Sequence, residues 1–374
     1  MHLESPFVAG NDVRLLRDGA ETYPAMLDAI ASARHHVHAE VFIFSDDEVG
    51  RTFAAAFSDR AKAGIEVRII HDAVGSLKTP DTFFDKLRKA GARVVAFHPV
   101  APWRTNWGLS RRDHRKILVV DGRVGFAGGL NFDLCHASAS TGGAGWRDTH
   151  ARVTGPAVSE LGRHFLETWL TRAPPGLRPD AVASYLERPS ASGAMDVQVV
   201  ANRVKPGLSP IRRAYLEALH GARQSAWVTN PYFLPDARII RALVSAARRG
   251  VDVRLLVPRR SDVRIVDLAS RPIFRHLLHR GVRIYQWTRS ILHAKTMVVD
   301  HRWASVGSFN IDPASFSNLE LNLNVRHAGF AEGMAAMFLD DLRQSAELVP
   351  TRVDRSPAHL RIAETMLHGL RHWL

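Results

Sequence analysis

Two histidines stand in the same octapeptide frame. His114-Arg-Lys116-Ile-Leu-Val-Val-Asp121 and His293-Ala-Lys295-Thr-Met-Val-Val-Asp300 both read His-x-Lys-x4-Asp. Each copy leads to a turn of small residues that ends in asparagine, Gly128-Gly129-Leu130-Asn131 and Gly307-Ser308-Phe309-Asn310, with 17 residues from histidine to asparagine in both. An imidazole is a nucleophile at neutral pH and also a general acid or base. Two of them divide the work of a substitution at phosphorus, one attacking and the other protonating the leaving oxygen and then activating the acceptor. The two lysines and the two asparagines would donate to the non-bridging oxygens, whose charge must be held in the transition state. The pattern points to phosphoryl transfer in one shared site.

The apolar residues after each lysine read as a strand, on which positions i and i+2 share a face. His114 and Lys116 then point one way, as do His293 and Lys295. Asp121 and Asp300 fall at an odd offset, with Asp121-Gly122 as a hairpin turn, and take an orienting or neutralising part. A catalytic imidazole also needs a carboxylate to orient it; Asp148, in Trp146-Arg-Asp-Thr-His150, and Glu320, in Ser317-Asn-Leu-Glu320, stand after the motifs. As surface carboxylates they would do nothing of the kind, and both readings stay open at this point.

The elements that must carry these residues occur twice. Ala25–Arg34 is echoed by Ala214–Arg223, both with helical spacing of apolar residues. An apolar run follows each, Val37–Phe44 and Ala226–Phe233. Next come helices over Thr52–Ala63 and Ile239–Arg249 that stop at Gly64 and Gly250, as helices commonly do. Strands Glu66–Ile70 and Asp252–Val257 come after. A further helix opens at Thr79-Pro80, a capping residue before proline at the first helical position. Strands alternating with helices predict α/β folding in each half, in mixed sheets flanked by helices. The stretch Arg172–Ser192, rich in Pro, Ala and Ser, reads as the link, so the expected domains are 1–185 and 186–374.

Composition narrows the setting. With 374 residues the chain is long enough for two cores. One cysteine, Cys135, excludes an internal disulfide and a cysteine-based zinc site. No carboxylate or His-Cys metal motif is evident, so a metal-free reaction without cofactor is expected. The net charge of +13 predicts a polyanionic partner, either nucleic acid or an anionic membrane surface. No signal-peptide pattern opens the sequence and no run of 18 apolar residues occurs, so a lipid substrate would be reached from outside the bilayer.

The paired motifs resemble those of the phospholipase D superfamily, over about residues 10 to 345. Arg111–Lys116, Phe126–Asn131, Trp146–Pro156, Asn230–Pro235, Trp303–Pro313 and Asn318–Glu320 are more closely similar to the phospholipase D-type cardiolipin synthases of bacteria, in a short form without transmembrane helices. The resemblance implies a bilobed monomer with the motifs facing across a pseudo-two-fold axis and a covalent phosphohistidine intermediate. It makes His114 the nucleophile and His293 the acid/base, with the reverse assignment left open. It also crosses the carboxylates, Glu320 supporting His114 and Asp148 supporting His293. The implied reaction is phosphatidyl transfer from a phospholipid to a second lipid, with phosphatidylglycerol as acceptor giving cardiolipin. The enzyme would lie peripherally on the cytoplasmic face of the membrane, with no obligate protein partner. A phospholipase D hydrolase, a metal-independent nuclease of the superfamily and a non-catalytic binding module are the alternatives. One departure stands out: Gly129 takes the place that Ser308 has in the second copy.

Other segments have two readings. Trp103 and Trp107 beside Arg104, Arg111 and Arg112 suit a membrane interface or a loop packed on its own domain. Pro357–Leu374 has amphipathic spacing, for an interfacial anchor or a docking helix. His35, His36 and His38 suggest a metal cluster or an ordinary strand start. Cys135 is expected to be unreactive packing, and Glu40 a buried carboxylate turned toward the cleft.

Overall fold

Ile117-Leu-Val-Val120 and Thr296-Met-Val-Val299 are apolar at almost every position, which suits a strand buried on both faces. A computed structural model of the chain, described here for residues 5–100, 111–178, 182–202 and 209–350, places them so. Ile117 and Val119 enter a core between the two halves, whereas Leu118 and Val120 enter a core under the helices of the first half. Val298 joins the central core, and Met297 and Val299 enter the helix-covered core of the second half. Every strand near the site is thus fixed from both sides.

The first half runs β1 (Val8–Arg17), α1 (Asp18–Ala31), β2 (His36–Val41), α2 (Glu48–Lys62), β3 (Glu66–Asp72), α3 (Asp81–Lys89), β4 (Arg93–Phe97), β5 (Ile117–Val120), β6 (Val124–Gly128), β7 (Thr149–Thr154) and α4 (Val158–Arg172). The second runs β8 (Met195–Ala201), α5 (Pro210–Gly221), β9 (Ser225–Thr229), α6 (Ala237–Arg248), β10 (Asp252–Pro258), α7 (Arg264–Leu278), β11 (Arg283–Trp287), β12 (Thr296–Val299), β13 (Trp303–Gly307), α8 (Pro313–Ser317), β14 (Leu321–Arg326), α9 (Ala328–Arg343) and β15 (Ser345–Leu348). The strands form one sheet in the order β15-β11-β10-β9-β12-β13-β14-β8-β1-β7-β6-β5-β2-β3-β4. Outward from the antiparallel β1–β8 join, each half repeats the same order and the same mixture: parallel pairs β2–β3–β4 and β9–β10–β11, antiparallel elsewhere. The repeat seen in the amino-acid sequence is therefore an α/β repeat about a pseudo-two-fold axis. Among the described residues no helix is long and apolar enough to cross a membrane.

Local details depart from expectation in instructive ways. The third helix starts at Asp81 without a side-chain cap, because the Thr79 hydroxyl donates to the Phe44 carbonyl at 2.6 Å instead. The strands begin at Ile117 and Thr296, one residue past each lysine, so His-x-Lys precedes the ladder rather than belonging to it. Asp121 and Gly122 both have positive φ, +53° and +63°, and Arg123 N–H closes the turn on the Val120 carbonyl at 3.0 Å, within the loop that joins the paired Val120 and Val124.

Asp121 and Asp300 complete the motif at the far end of the strand from the imidazoles, where they bond backbone rather than the rings. The Asp121 carboxylate accepts from the backbone N–H of Arg34, His35 and His36, each at 2.8 Å. Asp300 does the same for Arg223 at 2.9 Å, Gln224 at 2.7 Å and Ser225 at 2.9 Å. Each ties its hairpin to the start of the neighbouring strand. Burial opposes the Asp121 charge, but the three N–H donors hold its carboxyl below the usual range. Asp121→Ala should cost about 2–3 kcal/mol of stability, as loss of hydrogen bonds to a charged group does, visible as a lower Tm. Turnover per folded molecule should be nearly unchanged; a variant with normal Tm and no turnover would give Asp121 a direct part in the chemistry.

Candidate active site

The segments that carry the histidines are held by the opposite half. His114 N–H donates to the Leu319 carbonyl and Leu319 N–H to the Arg112 carbonyl, both at 2.9 Å. The counterpart joins Arg147 N–H to the Ile291 carbonyl at 2.9 Å and His293 N–H to the Arg147 carbonyl at 2.7 Å. Two short parallel bridges, Asp113 with Leu319 and Arg147 with Leu292, thus exchange strands between the halves. The lead-in to His114 is fixed further by Asp72, which accepts from the Arg112 guanidinium at 2.9–3.1 Å and from Asp113 N–H at 2.9 Å. On the other side Arg147 is clamped by Asp341 of α9 at 2.7 Å and reaches Asp18 at 3.2 Å.

This exchange sets each imidazole against a carboxylate of the other half. His114 Nδ1 lies 3.1 Å from both oxygens of Glu320, and His293 Nδ1 lies 2.7 Å from Asp148 Oδ2. Both carboxylates are fully buried. A buried carboxylate on Nδ1 fixes the ring and the tautomer, which leaves Nε2 to react. The carboxylates are themselves held differently. Ser308 and Ser315 hydroxyls donate to Glu320, the latter at 2.8 Å. Asp148 accepts from Thr149 N–H at 2.7 Å and packs against Gly129, where an added Cβ would fall 2.1 Å from Asp148 Oδ1. The serine-for-glycine difference between the copies therefore concerns the orienting carboxylates: the Ser308 hydroxyl serves Glu320, and the glycine makes room for Asp148.

Lys116 and Lys295 are buried beside the imidazoles, each donating to the carbonyl of its own motif histidine, Lys116 at 2.7 Å. Burial lowers Lys116 to about 7, with Glu320 opposing and Lys295 adding to the shift. It lowers Lys295 to about 8, with Asp148 and Glu320 opposing. His114 is lowered by burial against the pull of Glu320, and His293 further by burial and then by Lys295, Lys116 and His114. The four groups feel one another's charge, so the two motifs form one electropositive site. Asn131 anchors its Oδ1 on the Ile43 N–H at 3.2 Å and leaves its Nδ2 as a donor. Asn310 Oδ1 is buried without a hydrogen-bond partner among the described residues. Phe42 walls the pocket, 5.0 Å from the His114 ring.

Comparison with known proteins agrees with this geometry. The family model described as "Cardiolipin synthase, PLD-like domain" matches residues 26–141 and again 215–342. The cardiolipin synthase of Geobacillus sp. strain WCH70 is 36% identical over 97% of this chain and 72% of its own length. Cardiolipin synthase A of Pseudomonas fluorescens is 38% identical over 92% of this chain and 71% of its own. The chain belongs to the phospholipase D-like cardiolipin synthase family. It is by that membership an enzyme, a phosphatidyltransferase of the phospholipase D type. The crystal structure of phosphatidylserine synthase from Haemophilus influenzae shares the fold, with a TM-score of 0.77 at 12% identity over 99% of this chain and 97% of that one.

Several neighbours of the site were not picked out from the amino-acid sequence. Ser315 and His136 both stand five residues past a motif asparagine, a repeat position visible only once the two copies are aligned past Asn131 and Asn310. Glu40 lies away from the cleft, buried with Arg115 at 3.1 Å and close to Thr168; burial pushes its carboxyl well up. His38 stacks on Phe165 and bonds Glu66 rather than joining a histidine metal cluster. Burial drives the Cys135 thiol up, away from reactivity. The segment of Trp103 and Trp107 and the C-terminal stretch 357–374 lie outside the described residues.

Two consequences are measurable. Both lysines have lower values in the folded chain than in the unfolded one, so the unfolded chain binds more protons between about pH 7 and 10.5, and stability should rise with pH through that window. Lys116→Met should raise Tm at pH 7 by a few degrees, flatten that rise and abolish turnover; a lower Tm would show that the ammonium group stabilises the fold. Gly129→Ser, which makes the copies alike, should drive Asp148 off its position and reduce kcat by about a hundred-fold or more, as loss of an imidazole orienter does.

Proposed function

We propose that the chain transfers phosphatidyl groups between lipids through a phosphohistidine. The observation that supports this best is the crossed pairing: each Nδ1 is held by a carboxylate, and each Nε2 has no hydrogen-bond partner among the described residues, in the site that Lys116 and Lys295 make electropositive. His114 Nε2 attacks the phosphorus of a phospholipid phosphodiester. The P–N bond forms, the bond to the head-group oxygen breaks, and protonated His293 gives that oxygen its proton. The hydroxyl of a second lipid then enters, neutral His293 takes its proton, its oxygen bonds to phosphorus and the P–N bond breaks. With phosphatidylglycerol as donor and acceptor the products are cardiolipin and glycerol. Lys116, Lys295, Asn131 and Asn310 hold the non-bridging oxygens, and a bound phosphodiester anion raises the histidine and lysine values toward their charged forms. The +13 charge suits an anionic phospholipid surface at the cytoplasmic face.

The test is incubation of the purified chain with phosphatidylglycerol vesicles, with and without EDTA, and mass spectrometry of the lipids. Cardiolipin formation that persists in EDTA is expected, and His114→Ala and His293→Ala should each lower it by about 10⁴-fold or more. Phosphatidic acid as sole product would make the chain a hydrolase, and DNA cleavage without lipid turnover would make it a nuclease. The kcat/KM profile should be bell-shaped and fall above about pH 7 to 8 as Lys116 and Lys295 lose their protons; the apparent values belong to the cluster rather than to single groups. A profile flat to pH 9.5 would remove the lysines from phosphate binding.

A further inference from the structure

The two carboxylates of the site are not supported alike. Five residues past Asn310 stands Ser315, whose hydroxyl donates to Glu320 at 2.8 Å. Five residues past Asn131 stands His136, and its Nδ1 lies 3.6 Å from Asp148 Oδ2, beyond hydrogen-bond reach. His136 is 1% exposed, and neither of its ring nitrogens has a hydrogen-bond partner among the described residues. Its place is fixed by a short turn, Leu134–His136, which Asp133 caps through the Cys135 N–H at 2.8 Å. Trp146 lies against both the His136 and the His293 rings, with centroids at 5.4 Å and 5.6 Å. A buried imidazole with no partner is costly, and this one is turned toward Asp148 and His293. The three side chains bring their ligand atoms within 4.8 Å of one another.

We propose that His136, Asp148 and His293 form an inhibitory binding site for a divalent transition-metal ion of the zinc type. Two imidazole nitrogens and one carboxylate oxygen are the donors such ions prefer over Mg²⁺ or Ca²⁺. Ligand distances of about 2.0–2.2 Å put neighbouring donor atoms of a tetrahedral zinc site roughly 3.3 Å apart. The 3.6 Å separation of His136 from Asp148 is already close to that, and the 2.7 Å separation of His293 from Asp148 has only to open by about half an ångström. The ion would take the Nδ1 lone pair of His293 in place of the hydrogen bond to Asp148. The ring proton then sits on Nε2. An imidazole in that state has no lone pair left to accept the proton of an incoming hydroxyl, so acceptor activation stops. Among the described residues the second half has no equivalent, because Ser308 and Ser315 hydroxyls occupy the corresponding places around Glu320. The binding stands on geometry alone; the inhibition rests on the acid/base reading of His293.

The test uses the full chain freed of metal with EDTA and then exchanged into chelator-free buffer. Zn²⁺ binding is measured by calorimetry, and the Co²⁺ visible spectrum reports nitrogen and oxygen ligation. Phosphatidylglycerol turnover is followed in parallel, each protein normalised to its own metal-free rate. Wild type should bind one Zn²⁺ per chain and lose turnover as it does so, recover in EDTA and ignore Mg²⁺. His136→Gln and His136→Phe should bind Zn²⁺ roughly ten-fold or more weakly and need correspondingly more for inhibition, as loss of a metal contact implies. Two different replacements guard against one that fails to fold. Wild type without stoichiometric Zn²⁺ binding, or both variants binding as tightly as wild type, would overturn the site. Ligand-dependent Zn²⁺ binding in a chain without lipid turnover would leave the metal site standing and sink the proposed reaction.

Discussion

Everything in the active site depends on a buried imidazole meeting a carboxylate that belongs to the other half of the chain. Neither half can complete its own pair. His114 lies against Glu320 and His293 against Asp148, and the backbone beside each pair is exchanged in the same way. A buried carboxylate is tolerable only when its oxygens are satisfied, which requires the partner imidazole and the local donors to be in place. The same interactions that tune the rings therefore fasten the halves together, and the site exists only in the assembled molecule.

The site is built at the expense of stability. Two lysines, two carboxylates and two histidines are enclosed where a core would prefer apolar groups, and burial lowers both lysines to near neutrality. The fold offsets this around the site rather than in it. Strands buried on both faces supply three large apolar clusters, and the Arg147–Asp341 pair fixes α9 of the second half to the loop bearing Asp148. A phosphodiester anion brings the charge that the empty pocket lacks, so substrate and fold favour the same arrangement of cations only once the site is filled.

How far the amino-acid sequence could be read follows from what each feature depends on. The repeat was legible because the helices and strands of both halves keep the same apolar spacing, and the site because two octapeptides recur at equivalent points. The residues alone offered Asp148 and Glu320 without assigning either to a ring; only the family resemblance crossed them over to His293 and His114. Asp148 and Glu320 are far along the chain from the rings they serve, and only the strand order brings them close. Gly129 could be seen to differ from Ser308, but its meaning could not, since the space it leaves is filled by a carboxylate from the loop that leads into β7. Thr79 had the right type for a helix cap, and a tertiary acceptor, the Phe44 carbonyl, won its hydroxyl. His136 carried no local signal; its isolation is a property of its buried surroundings.

The difference between Gly129 and Ser308 also bears on what a symmetric assembly could hold. A dimer of identical single-motif chains must accept every substitution in both sites at once. A serine that steadies one carboxylate would, at the same moment, collide with the other. Two copies held in one chain, paired through β1 and β8, are free of that restriction. Each copy carries the residue its own carboxylate needs, Gly129 beside Asp148 and Ser308 beside Glu320, so the two are not interchangeable.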